Sequence, residues 1–243
     1  MFEQRSTASE IMDSSTMFGT AEAEASFRFI RRINRYFGGA AVVRQFIGRQ
    51  LQARSSQAPP LHVLDVGCGC ADIAVLVCQW FRRHGHNNIR FTCLESDPQA
   101  LSLAAAAINA SGLDCIDLVH ADIFCHQPAA PYDCAVASML LHHFDSSAAA
   151  RLLSHLLRIV RGGILINDLQ RCLPAWLGAG LLSCMQPWPV RHDAQLSVCR
   201  GFRRQELQCW LQQWFSNTES RVDTAWAYRI YAELGTSSRR SDK

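Results

Sequence analysis

The sequence predicts an α/β fold: a mostly parallel sheet with helices packed on both faces. Three observations carry this. Short apolar runs alternate with amphipathic stretches between residues 61 and 168, as strands joined by crossover helices do. The first run passes through Gly67-Cys68-Gly69 directly into a helical pattern. Acidic or polar residues also follow the ends of successive runs, so they fall on one rim of the sheet.

Each element can be justified in order. Residues 1–20 are polar and aperiodic and read as a flexible N-terminal arm. Residues 21–57 form a helical cap, with Phe27, Ile30, Ile33 and Phe37 at helical spacing, then Val42, Val43, Phe46, Ile47 and Leu51. Gly38-Gly39 divides the cap into two helices. The linker RSSQAPP leads into the main domain, residues 58–243. There, Leu61–Val66 is a strand and Ala71–His84 a helix. Ile89–Glu95 is a strand, and Pro98 opens a helix to Ala110, where its missing N–H costs nothing. Cys115–Val119 and Tyr132–Ser138 are strands, Ser146–Val160 a helix and Gly163–Asp168 a strand. An insertion at about 170–203, rich in Trp and Leu and poor in charge, reads as a lid. A helix over Arg204–Phe215 precedes Ser220–Thr224 and Ala227–Leu234, close enough to pair as an antiparallel edge.

Composition narrows the function. The chain has 243 residues, 49% hydrophobic, with a net charge of +3, too weak a basicity to indicate nucleic acid or an anionic membrane. No apolar run is long enough to span a membrane, and the first residues lack the pattern of a secretory signal. The 11 cysteines are not spaced as zinc ligands, and most sit in apolar runs, as reduced cysteines of a cytoplasmic protein do. No metal is expected.

Gly67 and Gly69 let the backbone approach a ligand closely at the carboxyl edge of the sheet. The dinucleotide pattern needs a third glycine at position 72, which is Asp72, and a carboxylate at a helix start is a poor host for pyrophosphate. Asp65 points the same way. The acids suit a cationic ligand without phosphates, and S-adenosylmethionine has that chemistry. This disfavours a nicotinamide-dependent oxidoreductase. Glu95 ends the second strand, placed to accept from ribose hydroxyls, and Asp122 follows the third, placed to accept from an adenine amino group.

The stretches VLDVGCGCADIA, LESDPQAL, HADIF, YDCAVASMLLHHF and RIVRGGILINDL, in this order, resemble the class I S-adenosylmethionine-dependent methyltransferases of the small-molecule type. The resemblance implies a three-layer, doubly wound, seven-stranded, mostly parallel Rossmann-like sheet with its last strand antiparallel. It departs from the family at Ala71, where a third glycine is usual; a slightly tighter turn is expected there. Carried over, Asp65, Gly67 and Gly69 hold the methionine end. Glu95 takes the ribose with Ser96 beside it, Asp122 and Ile123 take the adenine, and Ser138 meets the amino-acid portion through its backbone.

Methyl transfer from a sulfonium needs a base only when the acceptor must lose a proton. His142 and His143, just past the fourth strand, are the candidates, with His143 preferred. Asp168 could orient a histidine, contact the acceptor or cap a helix. Arg35 is a candidate for the methionine carboxylate. Tyr36 in the helical cap and Trp176, Trp188 and His192 in the lid are candidates for the acceptor pocket. The expected function is methylation of a small aromatic, polyketide-like or quinone-like acceptor in secondary metabolism, on oxygen rather than carbon. No N-P-P-Y motif of the kind found in many amino-group methyltransferases follows strand four. The competing reading is a catalytically silent, S-adenosylmethionine-binding partner subunit. A homodimer is compatible with the sequence.

Overall fold

The computed structural model describes residues 2–13, 20–55 and 57–235. Its helices are α1 (Thr20–Tyr36), α2 (Gly39–Gln52), α3 (Asp72–Arg83), α4 (Pro98–Ser111), α5 (Ser146–Ile159), α6 (Leu173–Ser183), α7 (Trp188–Arg200) and α8 (Arg204–Trp214). The strands are β1 (Leu61–Val66), β2 (Ile89–Glu95), β3 (Ile116–His120), β4 (Cys134–Ser138), β5 (Gly163–Leu169), β6 (Ser220–Ala225) and β7 (Arg229–Gly235).

All seven strands lie in one sheet of order β3-β2-β1-β4-β5-β7-β6. The five strands from β3 to β5 pair in parallel, and β7 runs antiparallel to both β5 and β6. This is the three-layer Rossmann-like methyltransferase fold expected from the sequence. The strand order reverses direction at β1 and β4, so the ligand crevice of an open α/β sheet belongs beyond their carboxyl ends.

Strand alternation sets the two cores. Leu61 and Val63 of β1 pack with α2 and α3 through Val43, Ile47, Ala74 and Phe81. Leu64 and Val66 face the other way, into Leu152, Leu156 and Leu211 of α5 and α8. Local chemistry marks the helix ends. Asp97 caps α4 by accepting from the N–H groups of Gln99 and Ala100, and Pro98 follows it. Asp145 caps α5 by accepting from Ala148 N–H. Gly38, at φ +84°, makes the break between α1 and α2.

The N-terminal arm departs from expectation. Residues 2–13 do not run free but lie against the lid and the loop after β4. Arg5 donates to the carbonyls of Arg200, His142 and Phe144. The buried Arg171 donates to the carbonyls of Phe2 and Glu3. Asp193 of α7 accepts from the N–H groups of Ile11 and Met12. A polar, aperiodic segment looked disordered because its partners are buried cations and carboxylates far along the chain. Residues 14–19 of the expected arm lie outside the described residues, as do residue 1, residue 56 and the tail 236–243.

Candidate active site

A cavity of about 1260 Å³ opens at the carboxyl edge of the sheet. It is bounded by the glycine turn, the ends of β2, β3 and β4, α1, the lid helices α6 and α7, and the turn Trp226–Tyr228. Gly67 and Gly69 hold φ values of +61° and +54°. A Cβ at Gly67 would lie 2.7 Å from Leu140, so the turn needs glycine there for space as well as conformation. Ala71 also adopts the left-handed region, at φ +55°, and is fully buried. Where the resemblance implies a third glycine, the chain therefore has an alanine that keeps a glycine-like backbone, a strain of about 1–2 kcal/mol. Met139, Ala227 and Tyr228 are also left-handed and line the cavity, so backbone strain gathers around it.

Carboxylates dominate the floor. Asp65 is fully buried and its Oδ2 has no hydrogen-bond partner among the described residues. Burial, with Asp72 and Glu95 close by, pushes its carboxyl up to about 8. Asp72, at the start of α3, is likewise raised, mainly by burial, although it accepts from Asn34 Nδ2 at 3.0 Å. Glu95 accepts from the N–H groups of Gly69, Ser96 and Asp97, which fixes its carboxylate against the glycine turn. Asp122 accepts from Phe124 N–H and stays exposed, with Ile123 buried beside it. Ser138 lines the same space and its Oγ accepts from Asn167. A buried, unpaired carboxylate beside a tight glycine cradle fits a cationic group, and S-adenosylmethionine carries two.

The second half of the site is a chain of charges. His142 is buried, with Nδ1 2.6 Å from Asp168 Oδ1 and Nε2 3.5 Å from Glu10 Oε1. Asp168 also accepts from the His142 backbone N–H. Burial opposes charge on this imidazole, but the two carboxylates outweigh it and raise its pKa to about 10. Both carboxyls are correspondingly held below their usual values, against their own burial. His143 sits beside it, ring centroids 4.2 Å apart, with Nδ1 3.0 Å from Asp13 Oδ1. Its Nε2 has no hydrogen-bond partner among the described residues, and its side chain is partly exposed to the cavity. Arg200 closes the chain, donating to Asp13, to Ala8 and to the carbonyls of His142 and His143.

Donor atoms of Glu10, His142 and His143 lie within 4.8 Å of one another, a spacing that could hold a metal ion. The donor chemistry favours a proton instead. Arg200 already stands 3.9 Å from Glu10, and both nitrogens of His142 face carboxylates.

Asp65, Gly67, Gly69, Glu95, Ser96, Asp122, Ile123, Ser138, His142 and His143 all border the cavity. Five candidates do not. Arg35 is exposed and lies over the ring of Tyr36, itself 60% exposed, because α1 turns this edge to solvent. Trp188 is 64% exposed. His192 turns to Asp193, with Nδ1 2.8 Å from Oδ1, and Trp176 packs edge-on against Phe2. His142 needs correcting as a base, since a doubly paired imidazolium has no lone pair to offer. Sequence reasoning missed Glu10, Asp13, Asn34 and Arg229. Arg229 is fully buried and donates to Asn34, to the carbonyl of Phe37 and to Met139 Sδ. Only an arginine beside an apolar strand pattern could have drawn attention to it.

Residues 63–163 match the family model described as a methyltransferase domain. No curated protein matches the chain by sequence. Similar solved structures include the plantazolicin methyltransferase BpumL in complex with SAH, at 15% identity and a TM-score of 0.64, covering 89% of this chain and 94% of that one. An O-methyltransferase family 2 protein from Planctomyces limnophilus in complex with apigenin gives 18% identity and a TM-score of 0.62, over 91% of this chain and 63% of that one. Magnesium protoporphyrin IX methyltransferase from Synechocystis with bound SAM gives 13% and 0.52, over 82% and 79%. At these identities the likenesses show a shared fold.

Proposed function

We propose that this chain, a class I S-adenosylmethionine-dependent methyltransferase by its matched domain and fold, methylates an acidic hydroxyl on a small aromatic, polyketide-like or quinone-like acceptor. The observation that carries the reading is His143. It stands in the same cavity as the carboxylate rim, held through Nδ1 by Asp13, with Nε2 unpartnered among the described residues.

When bound, S-adenosylmethionine supplies an electrophilic methyl group on a cationic sulfur. This chain's residues do the rest. Asp65 and Asp72 offer buried negative charge to the amino-acid end, and the left-handed Gly67 and Gly69 leave room for it. Glu95 accepts from the ribose, and Asp122 and Ile123 receive the adenine. Asp13 holds His143 as the tautomer with its proton on Nδ1, so Nε2 accepts the acceptor's hydroxyl proton. Asp13 and Glu10 then stabilise the imidazolium that forms. The cavity exceeds the roughly 300–1,000 Å³ of an ordinary ligand site, so it has room for a nucleoside and an acceptor together. The apolar inner side of α6, from Ala175 to Leu182, suits a flat or chain-bearing acceptor.

The test is turnover of S-adenosylmethionine to S-adenosylhomocysteine with a panel of phenols and enolic pyrones. His143→Gln should lower kcat by about 10²–10⁴-fold, the usual contribution of a general base. Its affinity for S-adenosylhomocysteine should stay within about twofold. Full activity in this variant removes His143 as the base. Tight cofactor binding with no turnover on any acceptor supports the silent partner subunit instead.

A further inference from the structure

We propose that the lid's outer face, together with the cavity rim, is a docking surface for an anionic membrane. The lid helix α6 is apolar on both sides. Its inner residues Ala175, Ala179 and Leu182 border the cavity. Its outer side carries Leu173, Leu177 and Leu181 at successive four-residue steps, 52%, 55% and 74% exposed, and Met185 beyond the helix end is 88% exposed. No residue from Cys172 to Val190 is charged. A helix apolar all round belongs in a buried place, and a contiguous exposed apolar patch marks an interaction site.

Trp188 follows this stripe at the start of α7, and the turn Trp226–Tyr228 packs against α6. Trp226 is 67% exposed, and its ring stacks on Phe37 at 5.6 Å, which brings in Tyr36 at the end of α1. Leucines thus meet a border of Trp and Tyr, the composition of protein surfaces that sit at the headgroup level of a bilayer.

Charge chooses the occupant. Arg35 borders the patch at Tyr36, and Arg191 borders it at Trp188, both exposed. Among the described residues neither forms an ion pair. A second copy packed symmetrically on this face would bring the same arginines together. Anionic headgroups pair them, while the leucines and indoles enter the acyl boundary. The cavity lies directly beneath α6, so docking would place its mouth against lipid. This inference does not depend on the identity of the acceptor.

The test is co-sedimentation of the full chain with vesicles of phosphatidylcholine alone, or of phosphatidylcholine and phosphatidylglycerol at about three to one, at low and high salt. The expected result is binding to the anionic vesicles, weakened by salt. Leu181→Glu combined with Met185→Glu should reduce the bound fraction at least tenfold. The same double variant should keep the wild-type affinity for S-adenosylhomocysteine, which shows that it is folded. Arg35→Glu with Arg191→Glu should remove the preference for anionic vesicles. No vesicle binding by the wild type, or equal binding by the Leu181/Met185 variant, overturns the proposal. So does a concentration-dependent dimer in sedimentation equilibrium that these same substitutions disperse, since that assigns the face to a second copy.

Discussion

Asp65 shows what one side chain can disclose about a ligand. Its carboxyl is fully buried, lacks a hydrogen bond on Oδ2 among the described residues, and is pushed up to about 8 by burial and by neighbouring acids. At neutral pH it is therefore mostly protonated while the site holds no cation. An ammonium brought beside it favours the carboxylate, so the proton must leave. Binding of S-adenosylhomocysteine at pH 7 should release a fraction of a proton. In calorimetry this appears as a binding enthalpy that varies with the ionisation enthalpy of the buffer. Asp65→Asn should abolish most of that dependence and weaken affinity. A buffer-independent enthalpy in the wild type would place the ammonium away from Asp65. This residue was legible in the sequence because strand period and the following glycines locate a strand's carboxyl end without knowledge of distant parts. Glu95 and Asp122 were legible for the same reason. Glu10 and Asp13 were not, because their partners lie about 130 residues or more away, at His142, His143, Ser197 and Arg200. No local pattern records that pairing.

Among the elements, the parallel strands and their crossover helices could be read to within a residue or two, since alternation and caps are local signals. Helix α6 was placed as a lid, but its apolar character does not say which side meets the cavity. Trp188 and Tyr36 accordingly turned out to point outward, and the join between the cap and the sheet was invisible. Beside the apolar contacts of α2 with β1, that join is made by Arg229, the first residue of β7. It is fully buried and reaches Asn34 on α1 and the carbonyl of Phe37 at the α1–α2 break. Burial lowers its pKa to about 10, against the pull of Asp168 and Asp72, so it remains charged at neutral pH. It thus locks the cap onto the sheet with a desolvated cation. Arg229→Met fills similar space but leaves Asn34 Oδ1 unpaired and removes the cation near two buried acids. The expected loss is about 3–5 kcal/mol, the range for removing one partner of a buried charged network. Urea unfolding monitored by tryptophan fluorescence would report it. A loss under about 1 kcal/mol would mean that packing alone holds the cap.

For the whole molecule, the charge chain through His142 joins four segments far apart in sequence: the N-terminal residues, the loop after β4, the end of β5 and the end of α7. Its stability contribution depends on pH with a definite sign. The imidazole is raised from 6.5 to about 10 by Asp168 and Glu10. A cation whose folded pKa is raised gives stability that is complete below the unfolded value. That stability is lost as pH climbs through the folded one. Glu10, Asp168 and the partly exposed Asp13 are depressed, so their contributions hold above about pH 4 and fade as pH falls. Asp65 acts on the alkaline side as well, but its loss is nearly complete by about pH 9, one unit above its folded value of about 8. Between about pH 9 and 11, then, the difference between the wild type and His142→Gln isolates the histidine, because every other titrating group is shared. The wild type should lose about 1.4 kcal/mol more than the variant across that interval, since the folded imidazole gives up its proton there over about one pH unit. Denaturation midpoints measured at several pH values would give the two curves. Parallel curves would mean that His142 is neutral in the folded protein. Glu10 would then be a buried anion paired through Arg200 and Ser197, and the N-terminal segment would be held by Arg5, Arg171, Asp193 and the Arg200–Asp13 ion pair without help from His142.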